Sequence, residues 1–509
     1  MAQRMLRELY GHQRDPVRVA VVGAGWAGLA AAVAATQAGM RVSLYEAARE
    51  PGGRARNVAV RAKTPPATAA ISGVTPDTWT LDNGQHILIG AYRASLALMR
   101  TVGVSVEHAL LRLPLDLRDA HGCGLALPQW PAALQAAAGV WGIATAKGWS
   151  WPARWALLRK AAQWQRQHFA AQEGMTVAQL CAGLPAELVQ QFIEPLCIAG
   201  LNTPIDQASA QVFLRVLQDS LAGGPGSADM LLPTQPLGDV LAKPAVQWLQ
   251  RQGTHVFLGQ RVERLRRLLR SGTSQAAPGC GQWQLDDAVF DAVVIACPAW
   301  EATRLLADCA EDALRVRAGE RARVDLASLD NVAGSATHWL HLARQLRYEA
   351  IATVYLQADV GSHGTADLPR PMLAVHDGPA QFVFDRHQLA GQRGLTAWVA
   401  STLQEGKEAL TQAVLQQSQR LQQALPLFSG GADEKPKAWL PIATVVEKRA
   451  TFRCSAGLVR PPMRMHADWP TLVACGDYID GPYPATLEGA VLSGQNAVAA
   501  LRATLGAGR

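Results

Sequence analysis

The strongest constraint on the fold is the run "VRVAVVGAGWAGLAAAVAATQAGMRVSLYE" at residues 17–46. Its first six residues form an apolar, β-branched stretch suited to a buried parallel strand. Gly23, Gly25 and Gly28 then complete a GxGxxG pattern. The first glycine of such a pattern permits a tight turn, the second lets the backbone approach a pyrophosphate, and the third lets helix and strand pack closely. Trp26 and Ala27 lie between the last two glycines and share that cradle. An alanine-rich helix over 27–38 follows, with its first N–H groups directed at the phosphates, and Gly39 ends it. "RVSLYE" makes the second strand and carries Glu46 at its C-terminal end. An acid about 20 residues past the glycines accepts hydrogen bonds from ribose hydroxyls, and its charge disfavours a 2′-phosphate there. Strand, turn, helix, strand and acid together predict a Rossmann-like dinucleotide site.

The residues just after Glu46 bear on which dinucleotide is bound. In "EAAREPGGRARN" (46–57), Gly52 and Gly53 allow a second close approach and Arg54 brings positive charge. A nicotinamide dehydrogenase has no special need of this element. The pattern resembles the FAD enzymes of the amine oxidase and phytoene desaturase superfamily, in which GGR follows the ribose acid. "TLVACGDYIDGPYPATLEGAVLSGQNAV" (471–498) resembles the second flavin element of that superfamily. The resemblance implies that Asp477, after Gly476, accepts from ribityl hydroxyls. It implies that N–H groups at Thr486 and Leu487 face the pyrimidine edge of a reduced flavin, while Gly489 and Ala490 keep the helix close. It also places Val262 over the adenine and runs "LDNGQHILIGAY" (81–92) along the isoalloxazine, with Gly84 where a side chain would meet the ring. Asn83, Gln85 and His86 become candidates to bond flavin or substrate, although His86 equally suits a structural role.

Further strands within 253–265 and 290–300 extend the same domain. The expectation is a discontinuous α/β FAD-binding domain over 17–100, 245–300 and 466–505. Residues 101–244 and 301–465 are left for a mixed α+β domain facing substrate and membrane. Strands at 346–357 and 378–386 would give that domain a sheet closing over the flavin.

Composition narrows the function classes. A net charge of +7 over 509 residues is a mild excess, and no basic run or aromatic-rich RNA motif accompanies it, so a nucleic-acid partner is not expected. The eight cysteines, at 123, 181, 197, 280, 297, 309, 454 and 475, lie too far apart for a CxxC pair or a metal-ligand cluster, so no metal is expected. They fit buried thiols in a reducing compartment. The first sixteen residues carry charges but no apolar h-region, and no stretch of about 20 apolar residues occurs, which predicts neither a secretory signal nor a membrane span.

Tryptophan, at 15 residues, outnumbers both tyrosine (7) and phenylalanine (9), and it concentrates in 130–164. A helical reading of 151–169 places Trp151, Trp155, Leu157, Leu158, Ala161, Ala162, Trp164 and Phe169 on one broad apolar arc, with Arg159, Lys160, Gln163 and Arg166 facing away. Two readings stay open for 141–169: a helix lying in a membrane interface, or one packed on its own core.

These segments together resemble the squalene-associated FAD-dependent desaturases, understood as hydroxysqualene dehydroxylases. The resemblance runs from about residue 17 to 500 and is carried by "GAGWAGLAAA", "PGGRAR", "LDNGQHILIGAY", "LNTP", "AQVFLRVL", "VFDR" and "GPYPATLEGAVLSGQNAV". A departure is "AKTPPATAAISGVTPD" (62–77), read as a surface loop. The resemblance implies reductive loss of the hydroxyl of a C30 isoprenoid, hydroxysqualene, with hydride from reduced FAD. It also implies a cytoplasmic enzyme lying on the inner face of the membrane. A proton donor is required, and His86, Asp385 and Tyr483 are the candidates, with Tyr483 and His86 preferred. A carotenoid-type desaturase and a non-catalytic prenyl-lipid carrier are the rival readings. An amine oxidase is disfavoured because no aromatic cage for an amine is visible.

Overall fold

The computed structural model describes residues 15–61, 78–131, 134–221, 223–268, 281–318, 335–358, 367–401, 406–425 and 439–507. The readings made of the first residues of the chain and of the loop at 62–77 fall outside these.

Five parallel strands from distant parts of the chain form one sheet, in the order Leu472–Ala474, Ala292–Ile295, Arg18–Val22, Arg41–Glu46 and His255–Leu258. The three central strands are apolar because helices or other elements cover both faces. Val19–Val21 and Ala292–Ile295 have no exposed surface. Trp26–Gln37 is the first crossover helix, and Gly39, at φ +76°, follows its end. The long helix Leu487–Ala507 lies against it. A Cβ at Gly28 would stand 1.8 Å from Gly23 O, so only glycine lets this helix sit so close to its turn. Gly23 itself has φ +113°, a conformation that favours glycine.

The stretch 253–265 supplies His255–Leu258 to this sheet, and the chain then turns away. Leu265–Leu268 joins Gln282–Leu285 and Ala288–Phe290 in a separate antiparallel sheet. Residues ahead of 245 also join the core shared with Trp26–Gln37. Leu237, Val240, Leu241 and Ala242 are fully buried in it, ahead of the Lys243–Arg251 helix.

A second sheet of five antiparallel strands has the order Met372–Ala374, Phe382–Asp385, Leu395–Ser401, Tyr348–Ala358 and Trp439–Phe452. Its alternation is regular. Val383, Trp398 and Val354 pack into a core with Leu410 and Val414 of the Lys407–Ala424 helix, while Phe382, Phe384 and Val399 turn to the opposite face. That opposite face meets the nucleotide-binding half.

The Trp151–Arg166 helix corrects the reading of a single apolar arc. Ala153, Leu157 and Trp164 are buried, whereas Trp151 and Trp155 are 66% and 63% exposed. At 100° per residue those two groups lie on opposite sides of the helix, so the arc drawn from sequence spanned both. The helix packs on its own core and also presents a second apolar strip to solvent.

Candidate active site

A cavity of about 590 Å³ opens where the two sheets meet. The nucleotide end is built by the turn after the first strand. Gly23, Gly25, Trp26 and Ala27 line it, and an added Cβ at Gly25 would touch nothing within 4 Å, leaving open space where a pyrophosphate approaches. Gly28 stays outside the lining, as a packing residue should. Glu46 lines the same end, its two oxygens accepting from Ala24 N at 2.7 Å and Ala48 N at 2.8 Å. Those bonds orient the carboxylate and leave lone pairs for a ribose. Val262 lines the cavity near this end, together with Tyr45 and Gln260.

Toward the middle, Gly53, Arg54, Gly84, Gln85, Gly476 and Asp477 converge on the same space. Arg54 donates from Nη2 to Asp477 Oδ1 and from Nη1 to Ala450 O at 2.8 Å. Burial opposes the guanidinium charge, but the Asp477 carboxylate outweighs it and holds Arg54 above its usual value. The positive charge read from "PGGR" is therefore matched inside the protein. Thr486 caps the last helix, its Oγ1 accepting from Gly489 N at 2.9 Å. With Leu487 and Ala490 it lines the cavity, so the free N–H groups of that helix start face it. The open space at Gly25, the ordinary contacts of a Cβ at Gly84 with His86 alone, and the tethered Glu46 and Asp477 all fit FAD.

The far end is apolar. Phe382, Phe384, Val399 and Ile351 of the antiparallel sheet line it, together with Ile198 and Leu201 of the Glu194–Leu201 helix. Asn202 ends that helix in a left-handed conformation, φ +45°, and donates from Nδ2 to Thr451 Oγ1 at 2.9 Å.

The three proton-donor candidates fare differently. Tyr483 does not line the cavity; Arg215 donates to its hydroxyl at 3.4 Å and stacks over its ring. Asp385 is also absent from the lining. Its carboxylate is consumed by Leu368 N, His387 N, Gln388 N and Gln388 Nε2 as the cap of a short helix. Nor does it pair with Arg386, which reaches across to Asp82 at 3.4 Å and Gln85 Oε1 at 3.1 Å in a fully buried network. His86 does line the cavity. Its Nδ1 lies 2.6 Å from Gly84 O, a group that only accepts, so Nδ1 carries the hydrogen. Burial lowers its pKa, against the Gly84 bond and the Asp82 charge, which favours the neutral ring.

Sequence reasoning passed over Tyr92, Asn202, Glu447 and Thr451, all of which line the cavity. Tyr92 is a poor acid there, since burial, reinforced by Glu488, pushes its hydroxyl far up.

Fold and cavity define the class: an FAD-dependent oxidoreductase, with a dinucleotide half and a substrate sheet closing over it. The chain belongs to the flavin-containing amine oxidoreductase family, whose model matches residues 26–502. It is similar to the hydroxysqualene dehydroxylase of Zymomonas mobilis, at 23% identity over 484 residues, covering 94% of this chain and 97% of that one. It is similar also to the hydroxysqualene dehydroxylase of Rhodopseudomonas palustris, at 26% identity over 501 residues with the same coverage of 94% and 97%. Among solved structures, cyclohexylamine oxidase from Brevibacterium oxydans superposes with a TM-score of 0.57 at 14% identity, over 96% of this chain and 100% of that one. At that identity the likeness is one of fold.

Proposed function

We propose that the protein replaces the hydroxyl of hydroxysqualene, a C30 allylic alcohol, with hydrogen to yield squalene. The observation that carries this reading is one continuous cavity with FAD-type residues at one end and the apolar face of the antiparallel sheet at the other. Near-full-length relatives bearing the dehydroxylase name support it.

Bound, reduced FAD would supply the hydride at N5. The chain does the rest. Phe382, Phe384, Val399 and Ile351 would pack the isoprenoid and expel the water that would recapture an allylic cation. Glu46 would hold the ribose, Asp477 the ribityl chain, and the start of the Leu487–Ala507 helix the electron-rich edge of the ring.

A greasy substrate needs a route to the cavity. Leu134, Val140 and Trp141 near one helix and Trp151 and Trp155 on the next are exposed, and Arg154 ties the two helices by donating to Ala144 O at 2.8 Å. Lys147, Arg159 and Arg166 are exposed beside them. Exposed tryptophans flanked by cations suit the surface of an anionic bilayer, here the cytoplasmic leaflet. Among the described residues no helix is long and apolar enough to cross a membrane.

Incubation with hydroxysqualene under reducing conditions, set beside phytoene with an oxidant, tests the reaction. Squalene from the first alone is expected; desaturated phytoene from the second would assign the protein to carotenoid chemistry instead.

A further inference from the structure

Dehydroxylation needs a proton for the departing oxygen, because hydroxide leaves poorly. This inference rests on that reading of the reaction. Tyr483 and Asp385 lie outside the cavity lining, and the Nδ1 hydrogen of His86 is held by Gly84 O, which leaves the carboxyl groups of the cavity. Four carboxyl groups line it: Glu46, Glu301, Glu447 and Asp477. Glu46 is tethered by backbone N–H groups at the ribose end. Glu301 accepts from Arg261 and Arg304, and Asp477 pairs with Arg54. Among the described residues Glu447, like Glu46, has no cationic side chain as a hydrogen-bond partner, and unlike Glu46 it stands on the substrate sheet.

Its position is built. Asn83, in the segment expected along the isoalloxazine, donates from Nδ2 to Glu447 Oε2 at 3.1 Å and to Arg54 O at 3.3 Å. Arg449 N donates to Oε1 at 3.3 Å. The pairing of Tyr348–Ala358 with Trp439–Phe452 slips here, since Glu349 opposes Thr451 while Ile351 opposes Glu447. Such a bulge re-aims side chains and releases backbone from the ladder. The nearby Ala450 carbonyl accepts from Arg54, and both Glu447 and Thr451 reach the cavity.

We propose that Glu447 is the acid that protonates the departing hydroxyl. As the C–O bond breaks, the oxygen takes the Glu447 proton and leaves as water. The allylic carbon gains a hydride, two electrons and one hydrogen, from reduced FAD, which is thereby oxidised, and the Glu447 carboxylate recovers a proton from solvent. The titratable groups around it are Arg54, matched by Asp477, and neutral His86 in the cavity, Lys448 and Arg449 on its own strand, and Tyr348 and Glu349 on the paired strand. Arg449 lies over the Trp300 ring at 4.4 Å.

The test uses the FAD-loaded full chain, without oxygen, on hydroxysqualene and on its O-acetyl ester, whose leaving acetate needs no proton. Glu447→Gln is expected to slow the alcohol roughly 10²- to 10⁴-fold while the ester keeps a near wild-type rate and the flavin absorbance is unchanged. Equal slowing of both substrates would mean a structural role, and unaltered turnover of the alcohol would dismiss the acid; either overturns the proposal. Should the variant fail to retain FAD, the wild-type pH profile decides. The alcohol rate is expected to fall with rising pH relative to the ester, and parallel profiles for the two substrates overturn the proposal. Wild-type protein that makes squalene from neither substrate would sink the dehydroxylation reading itself.

Discussion

Glu46 shows how much one side chain organises. Its carboxylate collects two backbone N–H groups and keeps lone pairs for a ribose. Glu46→Ala removes a charged acceptor from both, and hydrogen bonds to charged groups are worth about 1.5–3 kcal/mol. FAD affinity measured by fluorescence titration is therefore expected to fall by roughly tenfold to 150-fold. His86 carries a pH signature. The unfolded chain takes up a proton below about pH 6.5, while the buried ring resists it. The ring's contribution to stability is thus complete above that value and is lost as pH falls toward the lower folded value. Melting temperature is expected to drop between pH 7 and 5, and His86→Gln to flatten part of that slope. A slope identical in both proteins would contradict the tautomer and burial described here. The place of Glu46 at the end of the second strand, on the cavity, was legible because fixed spacing from the glycines marks it. Glu447 was not: it opens the charged run "EKR" on a strand that also contains Pro441, and so reads as surface. Only the bulge and the contact with Asn83, 364 residues away in sequence, bring it to the cavity.

Elements with strict local rules were the easiest to read. The second strand occupies the expected residues, Arg41–Glu46, and the first helix begins one residue before the expected start. The Trp151–Arg166 helix was harder, because two apolar strips on opposite sides merge when tryptophan is counted simply as apolar. Its buried strip, Ala153, Leu157 and Trp164, holds the helix in place, which leaves Trp151 and Trp155 available to another partner. The wild-type protein is expected to sediment with anionic vesicles at low salt, and Trp151→Ser with Trp155→Ser to leave most of it in the supernatant with FAD content unchanged. Wild type that stays in the supernatant would exclude an anionic bilayer as that partner.

At the scale of the whole molecule, the FAD half is assembled from strands that begin at Arg18 and end at Ala474, with the antiparallel sheet threaded between its last two pieces. This arrangement was legible at its ends, where glycines and acids sit at fixed spacings, and less so in the middle. The Trp439–Phe452 strand escaped notice, and it supplies two of the polar groups of the cavity. Joining the halves places an apolar chamber against the flavin site, which is the physical basis for reading the protein as a reductive dehydroxylase. The most direct measurement is one anaerobic turnover of the reduced, FAD-loaded protein with hydroxysqualene, following flavin reoxidation and squalene together. One squalene per flavin oxidised is expected, at the same rate. Flavin that stays reduced in the presence of hydroxysqualene, or reoxidises without squalene, would contradict that reading.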